Sequence, residues 1–165
     1  MEASGTGNMK FSLNGALTIG TMDGANVEIR EEVGADNFFL FGLNADQVRE
    51  VKSRGYRPHE YYKQNPTLCE VLDYIVSGAL AGGDAKLFQP LVENLLRDDP
   101  FLLLAAYAAY VDCQNQVSAL WCDPTPWTRK AILNVARMGK FSSDRSIRNY
   151  CERVWNVTPS PVKVE

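Results

Sequence analysis

Histidine is almost absent from the 165-residue chain, where His59 is the only one. The four cysteines, Cys69, Cys113, Cys122 and Cys151, stand 44, 9 and 29 positions apart with no C-x-x-C pair. A structural zinc site needs four thiolate or imidazole ligands, usually in closely spaced pairs, so this inventory argues against zinc or any other metal centre. The thiols are expected to be buried or half-buried rather than paired in disulfides. His59 lies in Tyr56-Arg57-Pro58-His59-Glu60, a proline-broken polar stretch that reads as a surface turn, a poor place for the base of a Ser-His-Asp hydrolase. Long apolar runs are missing too. The longest, Phe101 to Val111, has 11 residues, against the ~20 that a membrane-spanning helix needs. Basic excess is also lacking: Lys+Arg 17 against Asp+Glu 20 gives a net charge of −3, no field for nucleic acid or an anionic membrane. Glu2-Ala3-Ser4-Gly5 shows neither a basic nor an apolar leader, so the chain reads as soluble and intracellular.

What is present is a 45% hydrophobic composition, enough for the core of one domain and too much for a disordered or collagen-like chain. Glycine is distributed unevenly: residues 1–42 hold seven of the 12 and the other 123 residues hold five. Glycine serves sharp turns and close approach to a ligand, which points to residues 1–42 for function. There, Asn8 to Leu13 reads as a short helix closed by Asn14-Gly15. Leu17 to Gly20 reads as a brief strand, Asp23 to Asn26 as a turn, and Val27 to Val33 as an amphipathic piece ending at Gly34. Phe38 to Phe41 is continuous and apolar, the pattern of a strand buried on both faces in a parallel sheet.

Residues 43–157 are helical in grammar. Asn44 with Gln47 makes a capping box and Asn65-Pro66 a cap and first-turn proline; Leu87 through Leu96 reads as a helix that Pro90 must start or kink. Phe101 to Leu104 fits strand or buried helix, and a clear helix follows from Tyr107 to Trp121. Thr125-Pro126 opens another, to Gly139, and Ser142 or Ser143 caps the last, with Ile147, Tyr150, Cys151 and Val154 on one face. Residues 158–165, with two prolines, form a tail. Tyr61, Tyr62, Tyr107, Tyr110, Trp121, Trp127 and Trp155 are expected in the core, and Glu28, Glu31 and Glu32 on a solvated face. Two parallel strands cannot make an independent covered sheet, so the chain is expected to be a part of a larger α/β domain, with apolar surface left over for self-association.

Ser4-Gly5-Thr6-Gly7 runs directly into the helix that carries Lys10. The first N–H groups of a helix lack internal partners and carry partial positive charge, so they form an anion seat. Lys10 follows Thr6 by four residues, about one turn or ~5.4 Å along the axis. A phosphate seat beside a reachable amine suits a ligand with a phosphate at one end and a carbonyl at the other, such as pyridoxal phosphate.

Glu2-Ala3-Ser4-Gly5-Thr6-Gly7-Asn8-Met9-Lys10-Phe11 and Asn14-Gly15-Ala16-Leu17-Thr18-Ile19-Gly20-Thr21-Met22-Asp23-Gly24-Ala25-Asn26-Val27-Glu28 together resemble the pyridoxal-phosphate signature of the α-glucan (glycogen, starch, maltodextrin) phosphorylases. The resemblance continues through Asn37 to Gly42, Tyr110 to Gln114, Trp127-Thr128 and Gly139 to Ile147, and covers the chain to about Val157. It implies a truncated part, residues 1–157, of the C-terminal Rossmann-like domain of a GT-B type glycosyltransferase: α/β, mostly helical, with a cofactor-binding part at 1–42 and a helical part at 43–157. It implies that Lys10 carries pyridoxal 5'-phosphate as a Schiff base and that Gly5, Thr6 and Gly7 hold its phosphate. Glu2, with main-chain groups of Ala3, Ser4 and Gly5, would bind the glucosyl unit. The implied partners are α-1,4-glucan, inorganic phosphate, glucose 1-phosphate and the upstream part of the enzyme, in the cytoplasm or a plastid stroma. The family's basic residues for the two phosphates and its sugar-contacting histidine lie upstream and are not in this sequence; His59 does not match that histidine.

Overall fold

A computed structural model of the chain describes residues 6–158 and Ser160. It is mostly helical: α1 (Thr6–Leu13), α2 (Ala25–Val33), α3 (Ala45–Ser53), α4 (Pro58–Gln64), α5 (Pro66–Val76), α6 (Gln89–Arg97), α7 (Leu103–Trp121), α8 (Pro124–Arg137) and α9 (Ser143–Tyr150). Two short strands, β1 (Ile19–Gly20) and β2 (Phe39–Leu40), pair with one another. Phe39 N donates to Thr18 O at 2.9 Å and Phe41 N to Gly20 O at 3.2 Å. Both bonds span the same separation and advance together, which is a parallel register. The strands are closer to edge than to core. Leu40 is 44% exposed, so the reading of Phe38–Phe41 as buried on both faces fails there: side chains alternate across a strand, and only Phe38 reaches the core.

The chain divides into two compact units. The first takes Ile19–Asp23 and Leu40–Ala119. Its core is Leu68, Leu72, Val92 and Leu104, with Tyr61, Tyr62, Ile75 and Tyr107 packed around them. The helix starts follow local chemistry. Asn44 and Gln47 exchange both bonds of the capping box at 2.9 Å each. Asn65 Oδ1 accepts from Leu68 N at 3.0 Å, with Pro66 at the first helical position. Tyr56 to Glu60 is a correction: Pro58 opens α4 instead of breaking the chain, so His59 sits exposed on a helix, its ring 5.6 Å from that of Tyr62. Phe101 precedes the helix and Leu103 begins it. The start of α7 is set by Asp99, which is 1% exposed; its carboxylate accepts from Leu103 N at 2.9 Å, Leu104 N at 2.8 Å and the Tyr56 hydroxyl at 2.6 Å.

Gly78 ends α5 with φ +86°, and a Cβ there would stand 3.0 Å from Ala85 N and 3.1 Å from Gly83 C and O. Those neighbours are backbone and cannot swing aside. Gly78→Ala therefore combines left-handed strain with overpacking, and is expected to cost ~2–4 kcal/mol in urea unfolding.

The second unit takes residues 6–18, Gly24–Phe39 and the described residues from Leu120 on. Ile29, Val33, Phe38 and Met138 form its core, with Met9, Leu13, Ala25 and Phe141 around them. Arg137 Nη1 of α8 donates to Val33 O at 2.7 Å at the end of α2, where the helix dipole favours cations, and Lys130 donates to Asp36 O in the turn that follows. Lys140 pairs with Glu32 at 3.1 Å, which takes Glu32 out of the solvated face that keeps Glu28 and Glu31. The cap of α8 is Asp123, accepting from Thr125 N at 3.2 Å, with Pro124 first in the helix. The start at Thr125-Pro126 is thus one cap too late. Trp121 and Trp155 expose 65% and 55% of their surface and Tyr110 42%, so the aromatic set is core only in part. Cys122 is exposed, while Cys69 is half-buried and Cys113 and Cys151 are buried.

Candidate cofactor site

The candidate site begins on α1, in the second unit. At 100° per residue, Thr6, Gly7, Lys10, Phe11 and Asn14 fall within ~140° of arc, and all five are exposed. Met9, Ser12 and Leu13 occupy the opposite arc; Ser12 is fully buried and the other two pack on the core. The helix therefore presents one face to the protein and its candidate functional face outward. Its end is fixed by a Schellman cap: Ala16 N donates to Phe11 O and Gly15 N to Ser12 O, both at 3.0 Å, with Gly15 at φ +86°. Asn134 Nδ2 donates to Ala16 O at 2.8 Å just beyond.

Lys10 takes part in no ion pair among the described residues. Its carbonyl accepts from Asn14 Nδ2 at 2.7 Å. A Cβ built on Gly7 would meet nothing within 4 Å, so the first turn is open to a ligand. The donor set fits a phosphate-bearing aldehyde: an amine outside any ion pair among the described residues, one turn from the exposed start of α1 with a threonine hydroxyl and an unobstructed glycine. Of the residues expected at the site, the structure brings Thr6, Gly7 and Lys10 onto one face; Glu2, Ala3, Ser4 and Gly5 lie outside the described residues.

Two polar contacts on α1 have no clear mark in the sequence. Asn8 Nδ2 donates to Asn26 Oδ1 at 2.8 Å, and the Ser12 and Thr18 hydroxyls are 2.9 Å apart. Their only signal is that Asn8 and Ser12 fall on the helix arc that also carries Met9 and Leu13, where a polar side chain needs a partner.

Elsewhere the described residues offer less chemistry. Among the described residues, no group of three His, Cys, Asp or Glu could hold a metal ion, and no helix is long and apolar enough to cross a membrane. Burial, then the bond to Asp99, pushes the pKa of Tyr56 above the usual phenol range. The Cys69 thiol and then Asp73, to which its hydroxyl donates at 2.8 Å, do the same for Tyr62. Burial pushes the Cys113 thiol up. All three stand in the first unit, where no expected site residue lies. A groove of about 570 Å³ runs along Pro124, Thr125, Thr128, Arg129, Ile132 and Leu133, a single helix face without acid–base pairs.

The chain belongs to the carbohydrate phosphorylase family, whose model matches residues 1–157. It is 60% identical over 164 residues to the glycogen phosphorylase of Synechocystis sp., covering 99% of this chain and 19% of that protein. To the muscle form of human glycogen phosphorylase it is 51% identical over 159 residues, 96% of this chain and 19% of that protein. The brain form of Pongo abelii is 50% identical over 163 residues, 99% of this chain and 19% of that protein. The chain thus spans about a fifth of the length of these relatives.

Proposed function

We propose that the chain is the cofactor-anchoring segment of a pyridoxal-phosphate-dependent α-1,4-glucan phosphorylase, a retaining glycosyltransferase, from the Rossmann-like C-terminal domain of its GT-B fold. The observation that carries this reading is the 60% identity to a glycogen phosphorylase across 99% of the chain. Lys10, exposed and outside every ion pair of the described residues, supports it. In this reading the Lys10 amine would hold the cofactor, and Gly5, Thr6 and Gly7, with the Thr6 hydroxyl, would bind its phosphate. When bound, the cofactor would supply acid–base chemistry through its phosphate to a phosphorolysis that releases α-glucose 1-phosphate with retention. Glu2 and main-chain groups of Ala3, Ser4 and Gly5 orient the glucosyl hydroxyls. The setting is the cytoplasm, or the stroma of a plastid.

These residues do not complete the reaction. Two phosphates brought together at ~4 Å repel by ~4 kcal/mol per charge pair even at an effective dielectric near 20, and cations must offset that. The matched segment is 19% of its relatives' length, and none of its arginines is among the residues the resemblance assigns to the site. Glucan plus inorganic phosphate is therefore expected to give no glucose 1-phosphate with the 165-residue chain alone. Co-expression with the complementary part of a glycogen phosphorylase is expected to restore it. Product from the chain by itself would show that no upstream cations are needed. The remaining part of the enzyme is also the partner for the apolar surface: Phe11, Phe101, Trp121, Ile132 and Val154 each expose more than 60% of their area. Without it, sedimentation is expected to show self-association.

A further inference from the structure

The amide bridge between Asn8 and Asn26 joins the first turn of α1 to the first turn of α2, whose second residue is Asn26. Asn8 uses both ends of its side chain: Nδ2 donates to Asn26 at 2.8 Å, and Oδ1 accepts from Met9 N at 2.9 Å. Helix geometry leaves the N–H groups of Thr6, Gly7 and Asn8 without partners inside α1. Backbone donors are rigid: rolling α1 on the core by a fraction of a turn carries them all away from a bound anion. The Lys10 amine is different, because its four-carbon stem can follow a displaced ligand. The contact between the Ser12 and Thr18 hydroxyls, one turn further along, braces the second half of the helix and not its first turn.

From this geometry we infer that the Asn8–Asn26 bridge positions the phosphate seat, and so sets the preference for a phosphorylated aldehyde without setting the reactivity of Lys10. The inference rests on the reading of Lys10 as the cofactor anchor. Asn8 and Asn26 are positioning residues and touch neither the aldehyde nor the amine.

The test uses the 165-residue chain, its Asn8→Ala, Asn26→Ala and double variants, and Ser12→Ala. Each is incubated with pyridoxal phosphate or with pyridoxal, which has the same aldehyde and no phosphate. After borohydride reduction, pyridoxyl on the Lys10 peptide is quantified by mass spectrometry and helicity is followed by circular dichroism. Each asparagine variant is expected to lose about tenfold of the preference for pyridoxal phosphate over pyridoxal, the size of one charge-assisted hydrogen bond. Pyridoxal labelling is expected to stay unchanged, and the double variant to lose no more than either single one, because both remove the same bridge. Ser12→Ala is expected to lower the thermal midpoint and keep the preference. Equal loss of both labels in the asparagine variants, or an unchanged preference, overturns the inference; if Asn8→Ala loses helicity, Asn26→Ala decides alone. A wild-type chain labelled at Lys10 without phosphate preference also overturns it and leaves the anchor intact. A wild-type chain never labelled at Lys10 removes the anchor, and the inference with it.

Discussion

Lys10→Arg is expected to abolish the pyridoxyl label predicted for the α1 peptide after borohydride reduction, with no change in helicity. Arginine keeps the positive charge and matches lysine in helix propensity. Its guanidinium stays protonated, so no lone pair attacks the aldehyde. Lys10 is exposed and makes no ion pair among the described residues, so the substitution is expected to change stability by less than ~0.5 kcal/mol. The chain has six other lysines. Lys52 donates to Pro100 O at 3.3 Å, Lys130 to Asp36 O, and Lys140 pairs with Glu32. They serve as internal controls, and label moving to them in Lys10→Arg at the wild-type level would mean adventitious modification. Peptide mass spectrometry after reduction reads all seven at once.

Asp99→Ala is the substitution expected to damage the fold most. The Asp99 carboxylate is 1% exposed and accepts from Tyr56 Oη, Leu103 N and Leu104 N. Alanine leaves three donors at a buried helix start without an acceptor, at ~1–3 kcal/mol each before relaxation. Asp99 also sits at φ +32°, a conformation that aspartate and asparagine tolerate better than alanine. We expect a loss of ~4 kcal/mol in urea unfolding, a large share of the ~5–15 kcal/mol that holds a domain together. An asparagine side chain at this position would keep one acceptor oxygen, so Asp99→Asn is expected to lose about half as much. Tyr56→Phe removes one bond, ~1 kcal/mol. A midpoint for Asp99→Ala within error of wild type would show that α7 starts without its cap.

Features set by a few neighbouring residues are legible in the sequence. The capping box of Asn44 and Gln47, the Asn65-Pro66 start and the glycine end of α1 all depend on bonds within one turn. Proline is ambiguous where it stands without a side-chain cap: Pro58 begins α4 after Arg57, which makes no capping bond, so the residues around His59 have the pattern of a turn. Asp123-Pro124 precedes Thr125-Pro126 closely enough for the later pair to pass for the cap. Burial is less legible, since it depends on what lies across the chain. Leu40, Tyr110, Trp121 and Trp155 have core-like side chains on surfaces that this sequence does not cover. Of the candidate site, the placement of Thr6, Gly7 and Lys10 on one helix can be read from residue order. Asn8 and Asn26 cannot, because 18 positions separate two amides that meet only when α1 and α2 pack.

Anchoring of the cofactor by Lys10 is tested most directly by incubating the wild-type chain with one equivalent of pyridoxal phosphate, reducing with borohydride, and mapping the modified peptides. One pyridoxyl group on the peptide containing Lys10 is the predicted result. Lys10 left unmodified, or label spread evenly over the seven lysines, would contradict it.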